Sequence, residues 1–235
     1  MAFSHYKRRN TASIHTLGAG EYLVTEDGIP RGMFMGTNIG NVQIPTYGSA
    51  ETALAVRQYH VAAVNAVAAD TDGVHAAVTD TGEEQTITTG ITNPAVTRNI
   101  TATAGGTAGD IKAIQVVITG TNYDDEEITE TLPAFTVNTA GTVSGSKAFK
   151  TVTEIVIPAH DGTGATTAIG WGDVLGLPWL LSRKTNLYKQ TFLNNVVEST
   201  EPTVTTSASA IESNTIDLNS ALNGTAVDSY FIVDL

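Results

Sequence analysis

The sequence predicts a mainly β protein, with an antiparallel β-sandwich-like body that follows an extended, irregular N-terminal arm. Three observations support this prediction. Threonine and valine are abundant, and their β-branched side chains suit half-buried strands. Only 15% of the residues are charged, against roughly 25% in ordinary soluble domains. Short alternating runs of apolar and polar residues recur about every ten residues between Gly-, Asn- and Asp-rich turns.

Three parts are predicted along the 235-residue chain. Residues 1–57 form the arm, residues 58–181 form the body, and residues 182–235 form a C-terminal β segment that packs on the body or on a neighbouring subunit. The arm is punctuated by glycine and has no periodicity, which is unusual inside a compact domain. It is either an irregular, partly ordered terminus or a segment that orders by lying on a neighbouring subunit.

The arm contains the candidate interaction residues. Two short apolar groups interrupt its glycines, and burial of these groups on a neighbour would order the arm. A basic triplet near the start is either a solvated terminus or a docking site for an acidic partner. These candidates are Tyr22, Leu23, Met33, Phe34 and Met35 for the apolar groups, and Lys7, Arg8 and Arg9 for the basic triplet.

The segment 51–69 is ambiguous between helix and strand. Ser49 can cap a helix, and the alanines that follow favour one. Alternation from Leu54 to Val61 instead favours a strand. We expect a short helix or turn, followed by a strand that runs through about Val67.

From residue 73 onward the pattern is that of short strands. The turn Asp80-Thr81-Gly82 separates the first two, because its glycine can adopt a positive φ. One phase slip in the run 148–158 indicates a β-bulge. The predicted strands of the body are 74–79, 84–89, 98–104, 111–120, 126–137, 148–158 and 166–171.

The stretch 172–178 is not expected to be a regular strand, because it contains Gly172, Gly176 and Pro178. The apolar side chains at its end are expected to attach it to the core, namely Leu177, Trp179, Leu180 and Leu181. The C-terminal segment contains three further strand candidates, at 186–197, 203–207 and 229–235. The last of these, SYFIVDL, is aromatic and β-branched, which favours pairing in a sheet.

Charge is distributed unevenly along the chain. Residues 1–57 carry five basic and four acidic side chains, so the net charge of −12 arises from the remainder, which carries −13. Phosphate contacts need clustered cations, so nucleic-acid binding by the body is not expected. An acidic body with a mildly basic leading segment can instead dock that segment on an acidic partner.

Several compartments and classes of site are excluded or disfavoured. The chain has no cysteine, which excludes disulfides, thiolate zinc sites and cysteine nucleophiles and favours assembly inside the cell. No apolar run reaches the length of a membrane span, and no apolar run follows the first charges as in a signal peptide. We therefore expect no membrane association, and a protein that acts where it is made or leaves by lysis.

No pattern of a catalytic, cofactor or metal site is found. The five histidines lack metal-ligand spacing, and no GxSxG or GK[ST] motif occurs. The acidic run Asp124–Glu127, with Glu130, reads as a solvated turn, and the alternative is a weak cation site. We expect no enzymatic activity and no cofactor.

Two runs carry a family resemblance. They are NITATAGGTAGDIKAIQVVITGTNYDDEEITETLPAF, which starts at Asn99, and GSKAFKTVTEIVIPAHDGTGATTAIGWGDVLGLPWLL, which starts at Gly145. The order TGT, TET, KAFKTVTEI and GLP within them resembles structural proteins of tailed bacteriophages. The resemblance covers about residues 93–181, with a weaker likeness in the ending SYFIVDL.

The resemblance implies a virion protein of the head-decoration, or cement, type. Such a protein assembles in the host cytoplasm and lies on the outer surface of the head. Its implied partners are the major capsid protein and copies of itself, as a trimer. A tail or fibre component is the alternative within this class. A carbohydrate-binding sandwich that stacks Trp171, Trp179 or Tyr123 on sugar is the alternative of another class, although core packing explains the tryptophans better.

Overall fold

The computed structural model describes residues 42–43, 53–181 and 191–234, and these residues form a mainly β protein with three antiparallel sheets. The prediction of a mainly β, antiparallel fold is therefore confirmed, and most of the predicted arm lies outside the described residues. The strands are β1 (Val42–Gln43), β2 (Ala53–Val61), β3 (Asp70–Thr79), β4 (Gln85–Ile87), β5 (Arg98–Gly106), β6 (Val117–Thr121), β7 (Glu127–Thr131), β8 (Gly141–Phe149), β9 (Thr151–Ile157), β10 (Ala165–Gly176), β11 (Phe192–Leu193), β12 (Val196–Val197), β13 (Thr203–Thr205), β14 (Thr215–Asp217) and β15 (Val227–Asp234).

Two of the sheets form a sandwich. The first has the order β13-β14-β10-β5-β8, with β3 also paired to β10, and the second has the order β4-β9-β6-β7. Alternate side chains of β5, β6, β9 and β10 point between the sheets, as the period of two in a strand requires. The first core is formed there by buried residues that include Ile100, Ala102, Ile118, Phe149, Ile155 and Ile169.

A third sheet, of order β1-β2-β15-β11-β12, covers a second core. Strands β2 and β15 pair over eight residues, from Val61 opposite Val227 to Leu54 opposite Asp234. The buried residues of this core include Tyr59, Leu175, Leu177, Ile216 and Phe231. The boundary predicted between residues 57 and 58 falls inside β2, so residues 53–57 belong to a paired strand.

Strand β10 links the two cores. Its first half places Ile169 in the first core, and its end places Leu175 in the second. A register shift between Trp171 and Leu175 marks a bulge, which changes the direction of the strand between the cores. The stretch from Gly172 was not expected to form a regular strand. It continues β10 to Gly176, with the irregularity concentrated in the bulge.

Several local predictions differ from the structure. The strands predicted at 111–120 and 126–137 are limited to β6 and β7, and the run predicted as one strand at 186–197 contains the β11–β12 hairpin. The chain from 53 to 61 is a strand that ends in a turn, because pairing with β15 outweighs the helix preference of the alanines. Strand β8 was missed, because its bulge, in which residues 145–147 lie opposite the single residue Ile100 of β5, interrupts the alternation. Strand β14 was missed because three residues are too few to display a period.

Candidate functional site

The predicted interaction residues lie outside the residues that the structure describes. They are Lys7, Arg8, Arg9, Tyr22, Leu23, Met33, Phe34 and Met35. The first strand that the structure describes is β1, which pairs with β2, with Val42 opposite Leu54 and Gln43 opposite Ala53. We therefore take as the candidate functional site the contacts that attach β2 and the β2–β3 connection to the rest of the protein.

Three successive carbonyl groups attach the β2–β3 connection to three parts of the protein. The amide of Gly224 donates to the oxygen of Ala66 at 2.8 Å. Arg98 donates through Nη1 to the oxygen of Val67 at 3.0 Å. The indole Nε1 of Trp171 donates to the oxygen of Ala68 at 3.2 Å. The segment 66–68 is thereby fixed to the C-terminal region, to β5 and to β10. We call it the junction.

Arg98 makes the central one of the three contacts that fix the junction, and it is only 1% exposed. Its Nε donates to the oxygen of Gly172 at 2.6 Å, a carbonyl in the bulged part of β10. Its Nη2 lies 3.3 Å from Oδ1 of Asp173. Burial lowers the pKa of Arg98 to about 10, and the Asp173 carboxylate opposes this shift. The guanidinium therefore remains charged at neutral pH and binds the β2–β3 connection to the bulge.

Asn99, beside Arg98, forms hydrogen bonds with backbone groups of the two bulges. Its Oδ1 accepts from the amide of Val174 at 3.2 Å, and its Nδ2 donates to the oxygen of Gly145 at 3.2 Å. One buried amide side chain thus links the bulge of β10 to that of β8. A buried backbone group without a partner would be costly, so these two adjacent polar residues stabilise the bend of the sheet.

A second buried polar cluster surrounds His160, which is 6% exposed. The carboxylate of Asp80 accepts from the amide of His160 at 2.9 Å and from the amide of Gly82 at 2.8 Å. It thereby joins the β3–β4 turn to the β9–β10 loop. Gly82 has φ of 79°, as predicted for this turn. The ring of Phe135 stacks on the imidazole at 6.0 Å between centroids.

The imidazole of His160 is engaged at both nitrogens. Nδ1 accepts from the amide of Lys112 at 3.2 Å, so in the neutral ring the proton lies on Nε2. Nε2 lies 3.0 Å from the hydroxyl of Thr167 and donates to it. Burial lowers the pKa of His160, which favours this neutral form. In this arrangement the imidazole is not available to take a proton from Thr167.

The acidic run at the β6–β7 turn does not converge on one point. Asp125 has φ of 64°, and both of its carboxylate oxygens lie 2.7 Å from Nζ of Lys150. Glu130 points away, to the amides of Ser146 and Lys147 on β8. Within the described ranges, no group of three or more Asp, Glu or His side chains is arranged to hold a metal ion.

The aromatic candidates for sugar stacking differ in their surroundings. Trp179 packs in the second core, with its ring 6.5 Å from that of Tyr59 and 5.9 Å from that of Phe231. Trp171 packs against the first core and covers Gly73, where a Cβ atom would lie 2.7 Å from the indole. Tyr123, in the acidic turn, is 43% exposed.

Sequence reasoning did not find Arg98, Asn99 or Asp80. The one available signal was a charged residue at the start of a strand whose other residues are small, apolar or threonine. The partners of these side chains are backbone groups of bulges and loops far away in the chain, which no local pattern indicates.

Comparisons of the chain with protein-family models, with curated proteins and with solved structures each found no match. In the part of the chain that the structure describes, no helix is long and apolar enough to cross a membrane.

Proposed function

We propose that this chain is a non-enzymatic capsid decoration protein of a tailed bacteriophage, bound to the outer surface of the head. The β body lies on the shell, and the N-terminal arm clamps neighbouring subunits of the major capsid protein. Copies of the chain associate as a trimer at local threefold positions. The protein adds buried area across contacts that the pressure of the packaged genome strains.

The observation that carries this proposal is the attachment of the arm's first described strands. Force on an arm that continues into β1 and β2 is distributed over the eight-residue pairing of β2 with β15. It then passes through Arg98 and Trp171 into the sandwich. A clamp needs such a path from its arm to a rigid body.

Two further features agree with a structural role. The buried Asp80, Arg98 and Asn99 all bond to backbone groups, so their polar atoms serve the fold. The described body is acidic, which disfavours contact with packaged nucleic acid and favours a partner surface of opposite charge. The resemblance of residues 93–181 to structural proteins of tailed bacteriophages is the reason to propose a phage head as the particle.

Two other functions compete with this proposal. A tail or fibre component would use the same β body at another place in the virion. A carbohydrate-binding module would need exposed aromatic rings, and both tryptophans pack against cores while Tyr123 is exposed. The core packing of the tryptophans favours the structural function over sugar binding.

A mass-spectrometric inventory of purified particles, with heads and tails separated before digestion, tests the proposal. We expect the chain in the head fraction, in a fixed ratio to the major capsid protein. Recovery in the tail fraction would establish the tail alternative. Absence from both fractions would contradict any virion function.

A further inference from the structure

The five-stranded sheet ends at β12 in an apolar edge. Among the described residues, β12 pairs only with β11, so its outer edge has no strand partner there. Val196 is 66% exposed and Val197 is 40% exposed. Since successive side chains of a strand point to opposite faces, valine is presented on both sides of this edge. An exposed apolar edge is a template for the addition of another strand.

The β11–β12 hairpin is fixed in place. Asn194 and Asn195 have φ of 52° and 60°, the left-handed pair that a two-residue type I′ turn requires. The amide of Asn194 donates to the oxygen of Ala226 at 2.8 Å. The amide of Glu198 donates to the oxygen of Thr191 at 2.9 Å. The edge is therefore formed before any partner binds.

We propose that residues 31–35 of a second copy of this chain add as a strand beside β12. This inference rests on the arm of the proposed function and gives that arm a binding site on another copy. Backbone hydrogen bonds to the outer edge of β12 supply the pairing, and the two valines contact the apolar side chains of the added segment.

The composition of the segment RGMFM fits this edge. Met33, Phe34 and Met35 are apolar, and Arg31 is the single charged residue from 28 to 50. The chain that follows β12 carries the acidic residues Glu198 and Glu201. Strand addition therefore brings one positive side chain towards a locally negative edge, which favours this segment over the acidic stretch 21–27.

The length of the connection between Met35 and Val42 favours a second copy, rather than the same chain, as the source of the added strand. Among the described strands of this sheet β1 is the first in the chain, and it lies at the edge opposite β12. A strand beyond β12 is five strand spacings from β1, or about 24 Å. Six residues lie between Met35 and Val42, and the seven Cα–Cα steps that they make span at most about 25 Å when fully extended. The same chain would have to cross the sheet in a straight line, whereas another copy has no such constraint. Head-to-tail addition forms a ring where the rotation between copies closes, and a trimer is one such ring.

Single-cysteine variants test the contact in purified protein without particles, because the natural chain has no cysteine. One chain carries Met33→Cys, Phe34→Cys or Met35→Cys in turn, and an affinity-tagged chain carries Val196→Cys or Val197→Cys. After mixing and mild oxidation, we expect a disulfide-linked heterodimer for at least one combination. The matched control is tagged Val137→Cys, because Val137 is 51% exposed on a different connection. We expect at least ten times less heterodimer with it.

Three results would overturn the proposal. The first is heterodimer formation at Val137 equal to that at the β12 positions. The second is the absence of a heterodimer in every combination. The third is a double variant in one chain, Phe34→Cys with Val197→Cys, that closes an internal disulfide in a monomer of about 24.6 kDa. All three are read without particles, so failure of this contact is distinguishable from failure of the virion function.

Discussion

Arg98 shows how one residue can decide the relation between two cores. Its side chain is buried, yet it carries a charge and binds two backbone carbonyls and the carboxylate of Asp173. Removal of such a group leaves buried acceptors without a partner, which costs more than the pair itself contributes. At the scale of the residue, we therefore expect the protein to be more sensitive to substitution of Arg98 than to substitution of an exposed arginine.

The variant Arg98→Met tests this expectation. It keeps the approximate volume of the side chain and removes the donors to Val67 and Gly172, so we expect a loss of about 3 kcal/mol in the free energy of unfolding. The exposed Arg57 provides the matched control, and Arg57→Met should change stability by less than about 0.5 kcal/mol. Urea denaturation of the two variants decides the comparison. Equal stability of both would show that Arg98 does not join the cores.

His160 gives the protein an acid-sensitive contribution to stability. Its pKa in the folded protein lies below the ordinary value of 6.5 because of burial, while Asp80 and Asp161 oppose the shift and Lys112 adds to it. The unfolded chain binds a proton before the folded protein does, so the stability is intact above pH 6.5 and falls as the pH decreases below it. We expect the melting temperature to fall between pH 6.5 and 5.

The variant His160→Gln should lose part of this pH dependence. It will be less stable at pH 7.5, because the amide side chain does not reproduce the hydrogen bonds of the imidazole with the amide of Lys112 and the hydroxyl of Thr167. Its melting temperature should nevertheless fall less from pH 6.5 to 5. The partly exposed His75 serves as the control, and His75→Gln should keep the natural profile. Parallel profiles of the natural protein and His160→Gln would assign the acid sensitivity to other groups.

At the scale of elements, the bulge of β8 is stabilised by a carboxylate from the opposite sheet. Oε1 of Glu130, on β7, accepts from the amide of Ser146 at 2.7 Å, from its hydroxyl at 2.9 Å and from the amide of Lys147 at 3.2 Å. Lys147 donates in return to the oxygen of Thr129 at 3.0 Å. These bonds tie together the edge strands β7 and β8 of the two sandwich sheets, which also protects their edges.

We expect Glu130→Gln to lower the free energy of unfolding by about 1–2 kcal/mol, because the bonds lose their charge and one oxygen becomes a donor. Glu127→Gln on the same strand is the matched control, since Glu127 is exposed and should have little effect. Hydrogen exchange should accelerate at the amides of Ser146 and Lys147 in Glu130→Gln alone. Unchanged exchange at these amides would contradict the role of Glu130.

The elements also show how far sequence reasoning reached. Alternation and turn chemistry predicted β3, β5, β9 and β15, because these strands have one buried face or aromatic and β-branched composition. They did not predict β8, β14 or the extent of β10, because a bulge interrupts the alternation of apolar and polar residues and a three-residue strand is too short to show it. The residues of the candidate site were even harder to predict from the sequence. Arg98 acts on carbonyls 31 and 74 positions away in the chain, which only the folded structure brings together.

At the scale of the whole molecule, the described strands determine where a truncation of the N-terminal segment can end. Residues 42–43 and 53–61 are strands of the five-stranded sheet, so a truncation that respects the fold must keep them. The part that can be removed without loss of a described strand is 1–41. The predicted interaction residues all lie within this part.

We expect the variant that lacks residues 1–41 to fold with a melting temperature close to that of the full chain. The two cores and all described strands remain in it. Circular dichroism should show the same β spectrum for both proteins. A large drop in melting temperature would mean that these residues contribute to a core, and the arm would then be part of the body.

Co-sedimentation of the full chain with purified particles depleted of it tests the central claim most directly, with the variant lacking residues 1–41 as comparator. We predict that the full chain binds to heads until the sites are saturated, in a fixed ratio to the major capsid protein. The folded variant should remain in the supernatant at the same concentrations. Failure of the full chain to bind heads would contradict the decoration function. Saturation by the variant with unchanged affinity would contradict the role of the arm.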